Sequence, residues 1–88
     1  MKPEEELQQV AELMDSILED NSVPRNIKKV VNEAKEKILS SGDLKVNIMG
    51  AIYSLDEIVN DINMPFHTRT EIWNIISELE RIKEEIKE

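Results

Sequence analysis

The sequence predicts an all-α fold: a four-helix antiparallel bundle built from two similar helical hairpins. Three observations carry this. Apolar residues recur at steps of three and four in four separate series, and each internal proline stands where a new series is about to begin. The corner of the first hairpin also reappears in the second at an offset of 41 residues.

The first series is Leu7, Val10, Ala11, Met14, Ile17 and Leu18, one stripe on a helix expected over 3–20. Pro3 suits a first helical turn, and Glu4, Glu5 and Glu6 suit the positive end of the helix dipole. The segment Asp20-Asn21-Ser22-Val23-Pro24 breaks the pattern. Val23 is pushed out of the helical region by the proline ring that follows it, and Pro24 opens the second helix. The second stripe is Ile27, Val30, Val31, Ala34 and Ile38. It should end at Ser40-Ser41-Gly42, where Gly42 can take the left-handed conformation that terminates helices. Asp43 is placed to cap the third helix, whose stripe is Leu44, Ile48, Ala51, Ile52, Leu55, Ile58 and Val59. Asn60-Asp61-Ile62-Asn63-Met64-Pro65 closes it. The last stripe is Ile72, Ile75, Ile76, Leu79, Ile82 and Ile86, on a helix from Pro65 that should fray over Glu84 to Glu88. The chain thus reads as a single helical domain over 1–88, with hairpin one at about 3–42 and hairpin two at about 43–88.

Residues 15–24 and 56–65 share the form D-x-I-(L/V)-x-D-x-(S/N)-(V/M)-P. The aspartate and the Ser or Asn can satisfy free N–H groups, the proline fixes a backbone angle, and the apolar residue before it can pack back on the hairpin. A period near 40 built from helix pairs also fits a minimal two-repeat HEAT-like stack. With only two repeats, closure into a bundle buries more apolar surface, and the bundle is preferred.

The 88 residues carry a net charge of −8, which repels nucleic-acid backbone and anionic membrane on average. The charge is uneven. Residues 1–20 hold seven carboxylates against Lys2, whereas residues 22–42 hold Arg25, Lys28, Lys29, Lys35 and Lys37 against Glu33 and Glu36. There is no cysteine, which excludes disulfides and thiolate metal sites and fits a reducing, cytoplasmic setting. The opening Met1-Lys2-Pro3-Glu4-Glu5-Glu6 has the character of neither a signal nor a transit peptide, and no apolar run approaches the roughly 20 residues of a membrane span.

Several stretches resemble a known family. They are Val23-Pro24-Arg25-Asn26-Ile27, Ala51 to Ile58, Asn60 to Pro65 with His67, Arg69 and Thr70, and the run Ile72 to Glu80. Together they are similar to an archaeal family of uncharacterised proteins numbered 0147 in its series. The resemblance implies a small archaeal cytosolic protein with a four-helix fold, and it carries no catalytic residue across.

No catalytic, cofactor-binding or metal-ligating set is expected. His67 is the only histidine, and although imidazole titrates near neutrality, no orienting partner or pocket is evident around it. No carboxylate-x-x-His pair occurs at helical spacing, Glu78, Glu80, Glu84 and Glu85 read as a solvated face, and Gly42 and Gly50 are too isolated for a phosphate loop. The basic face of the second helix, Arg25, Lys28, Lys29 and Lys35, could grip RNA phosphates. The net charge of −8 disfavours a nucleic-acid partner, and a solvated face that complements the acidic first helix is the preferred reading.

The third helix has one apolar face too many for a lone bundle. Besides its main stripe it carries Val46, Met49 and Tyr53 on nearly the opposite side, and Trp73 stands at the edge of the last stripe. Trp73 could instead close the bundle end beside Phe66. The expected function is therefore a non-catalytic protein–protein interaction module, a self-associating adaptor or accessory subunit. Its interface would be Val46, Met49, Tyr53 and Trp73, and Arg25, Lys28, Lys29 and Lys35 would form a basic rim. The expected partners are a second copy of the chain, as a homodimer or other homo-oligomer, or another protein, with no cofactor and no membrane. The alternative is an RNA- or ribosome-associated protein using the second helix.

Overall fold

The computed structural model describes residues 2–86. Four helices follow one another: α1 (Pro3–Leu18), α2 (Arg25–Leu39), α3 (Leu44–Ile58) and α4 (Phe66–Glu85). Each packs on two others. α1 lies against α2 and α4, and α3 lies against α2 and α4, while the diagonal pairs α1/α3 and α2/α4 have no Cα atoms within 8 Å among the described residues. This closed ring is a bundle. In a stacked pair of repeats, helices at equivalent places would touch. The molecule measures 39 × 20 × 19 Å.

The apolar stripes meet on the axis of the ring. Leu7, Met14, Ile17, Ile27, Val31, Ile38, Ile48, Leu55, Ile72, Ile75, Leu79 and Ile82 are all fully buried. These branched aliphatic side chains supply most of what a chain this small can bury.

Helix ends follow the chemistry of the residues that stand there. The Lys2 N–H donates to the Glu5 side chain at 3.1 Å, and Pro3 takes the first helical position. Asp43 caps α3, its Oδ1 accepting from the N–H groups of Lys45 (3.0 Å) and Val46 (3.2 Å). Gly42 has φ +104°, a conformation that glycine adopts at no steric cost, and it lets the chain reverse between the hairpins.

The two matching corners share one hydrogen-bond pattern. Oδ1 of Asp20 accepts the Ser22 N–H at 2.9 Å, and Oδ1 of Asp61 accepts the Asn63 N–H at 2.8 Å. The Val23 and Met64 N–H groups return to the Asp20 and Asp61 carbonyls, both at 3.2 Å. Val23 and Met64, each before its proline, are buried.

Three expectations need correction. α1 stops at Leu18 and not at residue 20, because the Asp20 N–H has already turned to the Ile17 carbonyl. Ser22 and Asn63 cap nothing: Ser22 Oγ donates to Asp20 at 2.6 Å, and neither α2 nor α4 has a side-chain cap. Glu78 and Glu85 are not merely solvated. Both bind Arg81, at 2.8 and 2.9 Å, and Arg81 also binds Glu6 of α1 at 2.8 Å. Of the expected fraying segment, α4 runs through Glu85, and residues 87 and 88 lie outside those described.

Candidate protein interface

Among the described residues eight large apolar side chains are exposed, and six of them belong to hairpin two: Val46, Met49, Tyr53, Ile62, Phe66 and Trp73. Side-chain bonds mark which shoulder of each helix they occupy. Ser54 accepts from Lys37 of α2 at 3.1 Å and so marks the α2 side of α3. His67 binds Asp20 in the corner after α1, Arg81 binds Glu6 of α1, and both mark the α1 side of α4. At about 100° per residue, Met49 and Tyr53 lie on the opposite shoulder of α3, toward α4, with Val46 outermost. Trp73 and Phe66 lean toward α3 by the same count. Ile62 stands on the corner that joins the two helices. Half-buried Ile52 and nearly covered Ile76 form the floor between them.

All four residues expected at an interface are thus exposed on one side of the molecule. The closure of the bundle end by Trp73 and Phe66 is not seen: 54% of Trp73 and 86% of Phe66 are exposed. Phe66 and Ile62 were not expected as part of the face. Arg69 places its guanidinium 5.8 Å from the Phe66 ring centre while donating to the carbonyls of Val59 (2.9 Å) and Asp61 (2.8 Å), so Phe66 and the end of α3 are tied to one cation.

The internal repeat supplies a control for this face. Moving back 41 residues converts Val46 to Glu5, Met49 to Gln8, Tyr53 to Glu12, Ile62 to Asn21, Phe66 to Arg25 and Trp73 to Asn32. Every apolar member has a polar counterpart at the equivalent place on hairpin one. That signal was available in the sequence once the offset was carried from the corner to the surface. Among the described residues hairpin one exposes two large apolar side chains, Leu13 on the side facing α4 and Leu39 beside Leu7 and Leu44 at the end of the bundle.

The basic rim is less free than expected. Arg25 and Lys29 are exposed and Lys28 is half-buried. Lys35 is also half-buried and paired with Asp15 of α1 at 2.6 Å, because it sits on the shoulder of α2 that meets the acidic helix. Arg25, Lys28 and Lys29 stand at the start of α2, away from the apolar face.

His67 is exposed and meets Asp20 at 2.7 Å through Nε2. Ser22 Oγ also binds Asp20, so the bonds run Ser22–Asp20–His67 with the carboxylate in the middle. A nucleophilic relay needs the imidazole in the middle, taking the hydroxyl proton. The three donors of Ser22 and His67 hold the Asp20 carboxyl well below its usual range, the Ser22 hydroxyl most of all. Arg81 does the same for Glu6, and its three carboxylates raise the guanidinium in turn. Hollows between the helices lie elsewhere. Val30, Glu33, Ser54, Glu57 and Ile58 line one between α2 and α3, and its counterpart between α1 and α4 is lined by Leu13, Ser16, Glu71, Asn74 and Ile75. Among the described residues no three His, Asp or Glu side chains converge to hold a metal, and no helix is long and apolar enough to cross a membrane.

The model of an uncharacterised protein family, UPF0147, matches residues 1–82. A UPF0147 protein of the archaeon Methanocaldococcus jannaschii is 54% identical over 82 residues, covering 92% of this chain and 88% of its own. One from Archaeoglobus fulgidus is 43% identical over 79 residues, covering 90% and 91%. Among solved structures, that of a protein of unknown function, MMP1188, superposes with a TM-score of 0.83 at 42% identity, covering 94% of this chain and 91% of that one. A UPF0147 protein from Thermoplasma acidophilum superposes with a TM-score of 0.82 at 34% identity, covering 89% and 93%.

Proposed function

This chain belongs to the uncharacterised protein family UPF0147, and we propose that it works as a non-catalytic protein–protein interaction module of the cytoplasm, an adaptor or accessory subunit that docks through the outer face of hairpin two. One observation carries the reading. At the six places where hairpin two exposes a large apolar side chain, the equivalent helix pair of the same chain exposes a polar one. Two hairpins with one fold and one corner chemistry have the same need for solvation. The difference between their outer faces therefore reflects what covers them. Aromatic residues at the centre of such a face, Tyr53 and Trp73, are the type that dominates binding energy. The exposed Asp20–His67 pair, with its carboxylate-centred order, suits a structural tie.

Affinity capture from native cells tests the reading. Wild-type bait is compared with Tyr53→Glu/Trp73→Asn bait and with Lys28→Ala/Lys29→Ala bait, each with and without nuclease. Partners lost only with the first variant, and insensitive to nuclease, are expected. Partners that follow Lys28 and Lys29 and vanish with nuclease would replace this reading with RNA association.

A further inference from the structure

We infer that the occupant of this face is the same face of a second copy, giving a closed two-fold dimer in which four hairpins stack in the order one, two, two, one. The inference rests on the reading of hairpin two as a docking surface and adds the identity of the partner. Area, charge and termination each support it.

The six residues range from 53% exposed at Met49 to 91% at Ile62. At about 200 Å2 for a large apolar residue, two-thirds exposed on average, they present roughly 800 Å2. That is about what each partner contributes to an interface of standard size, so one copy of the face is enough to cover another.

A chain of net charge −8 repels its own copies unless they meet where that charge is absent. By the same helical count, Lys45, Arg69 and Lys83 fall at the border of this face beside Asp56, Glu57, Glu80 and Glu84, which leaves the charge there close to balance. The outer face of hairpin one carries charge of both signs, which would have to be desolvated if that face were covered. Glu5 and Glu12 stand there where hairpin two has Val46 and Tyr53.

The polar hairpin-one face also decides the symmetry. Head-to-tail association would set hairpin two of one copy on hairpin one of the next, burying Glu5, Glu12, Arg25 and Asn32 without partners and leaving an apolar face at the end of the chain of subunits. Pairing hairpin two with hairpin two is isologous. It covers both apolar faces at once and leaves two polar faces outward, so assembly stops at two.

The test uses the full chain and its sole tryptophan. Native mass spectrometry and sedimentation equilibrium are run over a concentration series at micromolar levels, with Trp73 emission recorded alongside. The expected result is a species of twice the 10.2 kDa chain mass. Trp73 emission should shift to the blue as dimer forms, because the indole leaves water. Tyr53→Ala should weaken association by about tenfold or more, and Lys28→Ala by less than about twofold. Tyr53→Glu should be monomeric with unchanged far-UV circular dichroism. A single-chain mass at every concentration overturns the inference. So does assembly that grows without limit, or a dimer equally strong in Tyr53→Glu and Trp73→Asn. A monomer whose captured partners still disappear with Tyr53→Glu removes the second copy and keeps the docking surface. A monomer with no partner sensitive to that face removes both.

Discussion

Asp20 and His67, 47 residues apart, are joined by a 2.7 Å bond from imidazole Nε2 to carboxylate Oδ2. The same bond recurs with a different donor 41 residues away. Asn26 Nδ2 donates to Asp61 Oδ2 at 3.1 Å, and Asn26 occupies the place in α2 that His67 occupies in α4. Each aspartate spends one oxygen closing its own corner and the other holding the opposite hairpin. The two bonds are a reciprocal clasp across the shared end of the bundle. They explain why this corner chemistry appears twice: each copy needs the carboxylate of the other.

The Asp20 carboxyl is held below its ordinary value of 3.8 by Ser22 and then His67. A depressed folded pKa contributes stability that is complete above the unfolded value and is lost as pH falls through the folded one. Asp20→Asn should therefore melt below wild type at neutral pH, and the gap should narrow below about pH 3.8. His67→Asn, which installs the donor that the other corner uses, should melt close to wild type, whereas His67→Ala should not. Melting curves from about pH 7 to about pH 2 check this. A gap that stays constant across the range means that the carboxylate charge has no part in the clasp.

Arg81 joins Glu78 and Glu85 of its own helix to Glu6, a residue the fold buries between α1 and α4. Removing the guanidinium leaves the Glu6 carboxylate without its main partner in a place that water barely reaches. Arg81→Ala should lower the melting temperature by more than Glu78→Ala or Glu85→Ala. Adding Glu6→Gln to Arg81→Ala should recover part of the loss, because a neutral amide tolerates the site better. If the double variant is no better than the single, the orphaned charge is not the cause.

Thr68 is fully buried, and its Oγ1 has no hydrogen-bond partner among the described residues. Its counterpart in α2 is Ile27, which is also fully buried. An unsatisfied hydroxyl in an apolar core costs about 1–3 kcal/mol, and a valine of nearly the same volume removes that cost. Thr68→Val should stabilise by about 1 kcal/mol, or roughly 4–8 °C for a domain of this size. A melting temperature equal to or below that of wild type counts against the account.

Periodicity made the architecture legible, because a stripe at helical spacing states which face is buried without any knowledge of the partner helix. The cap at Asp43 and the left-handed Gly42 are local chemistry and were readable for the same reason. Pairings between distant segments were not. Glu6 reads as an ordinary first-turn acid, and only its place opposite α4 makes it a buried ion. Lys35 reads as one of four bases that could face the acidic first helix, and only the angle at which α1 meets α2 singles it out for Asp15. The excess apolar face of α3 was visible in Val46, Met49 and Tyr53. Ile62 and Phe66 stand at the corner and belong to no stripe, so periodicity assigns Ile62 no role and places Phe66 only at the bundle end; their exposure, and the polar Asn21 and Arg25 at the equivalent places, put them on the face.

That comparison separates folding from docking by experiment. Trp73→Asn and Phe66→Arg each install the residue that hairpin one carries at the equivalent place. Both positions are mostly open to water in the single chain. Under conditions where the chain is monomeric, each substitution should alter stability by no more than about 0.5 kcal/mol, the usual range for surface changes. Leu55→Ala, on the buried side of α3, should cost about 2–5 kcal/mol by opening a cavity among the core aliphatics. Chemical denaturation of the three variants at low protein concentration makes the measurement. A loss at Trp73 or Phe66 comparable to that at Leu55 would mean that these aromatics hold the bundle itself together, and the outer face of hairpin two would then be needed for folding.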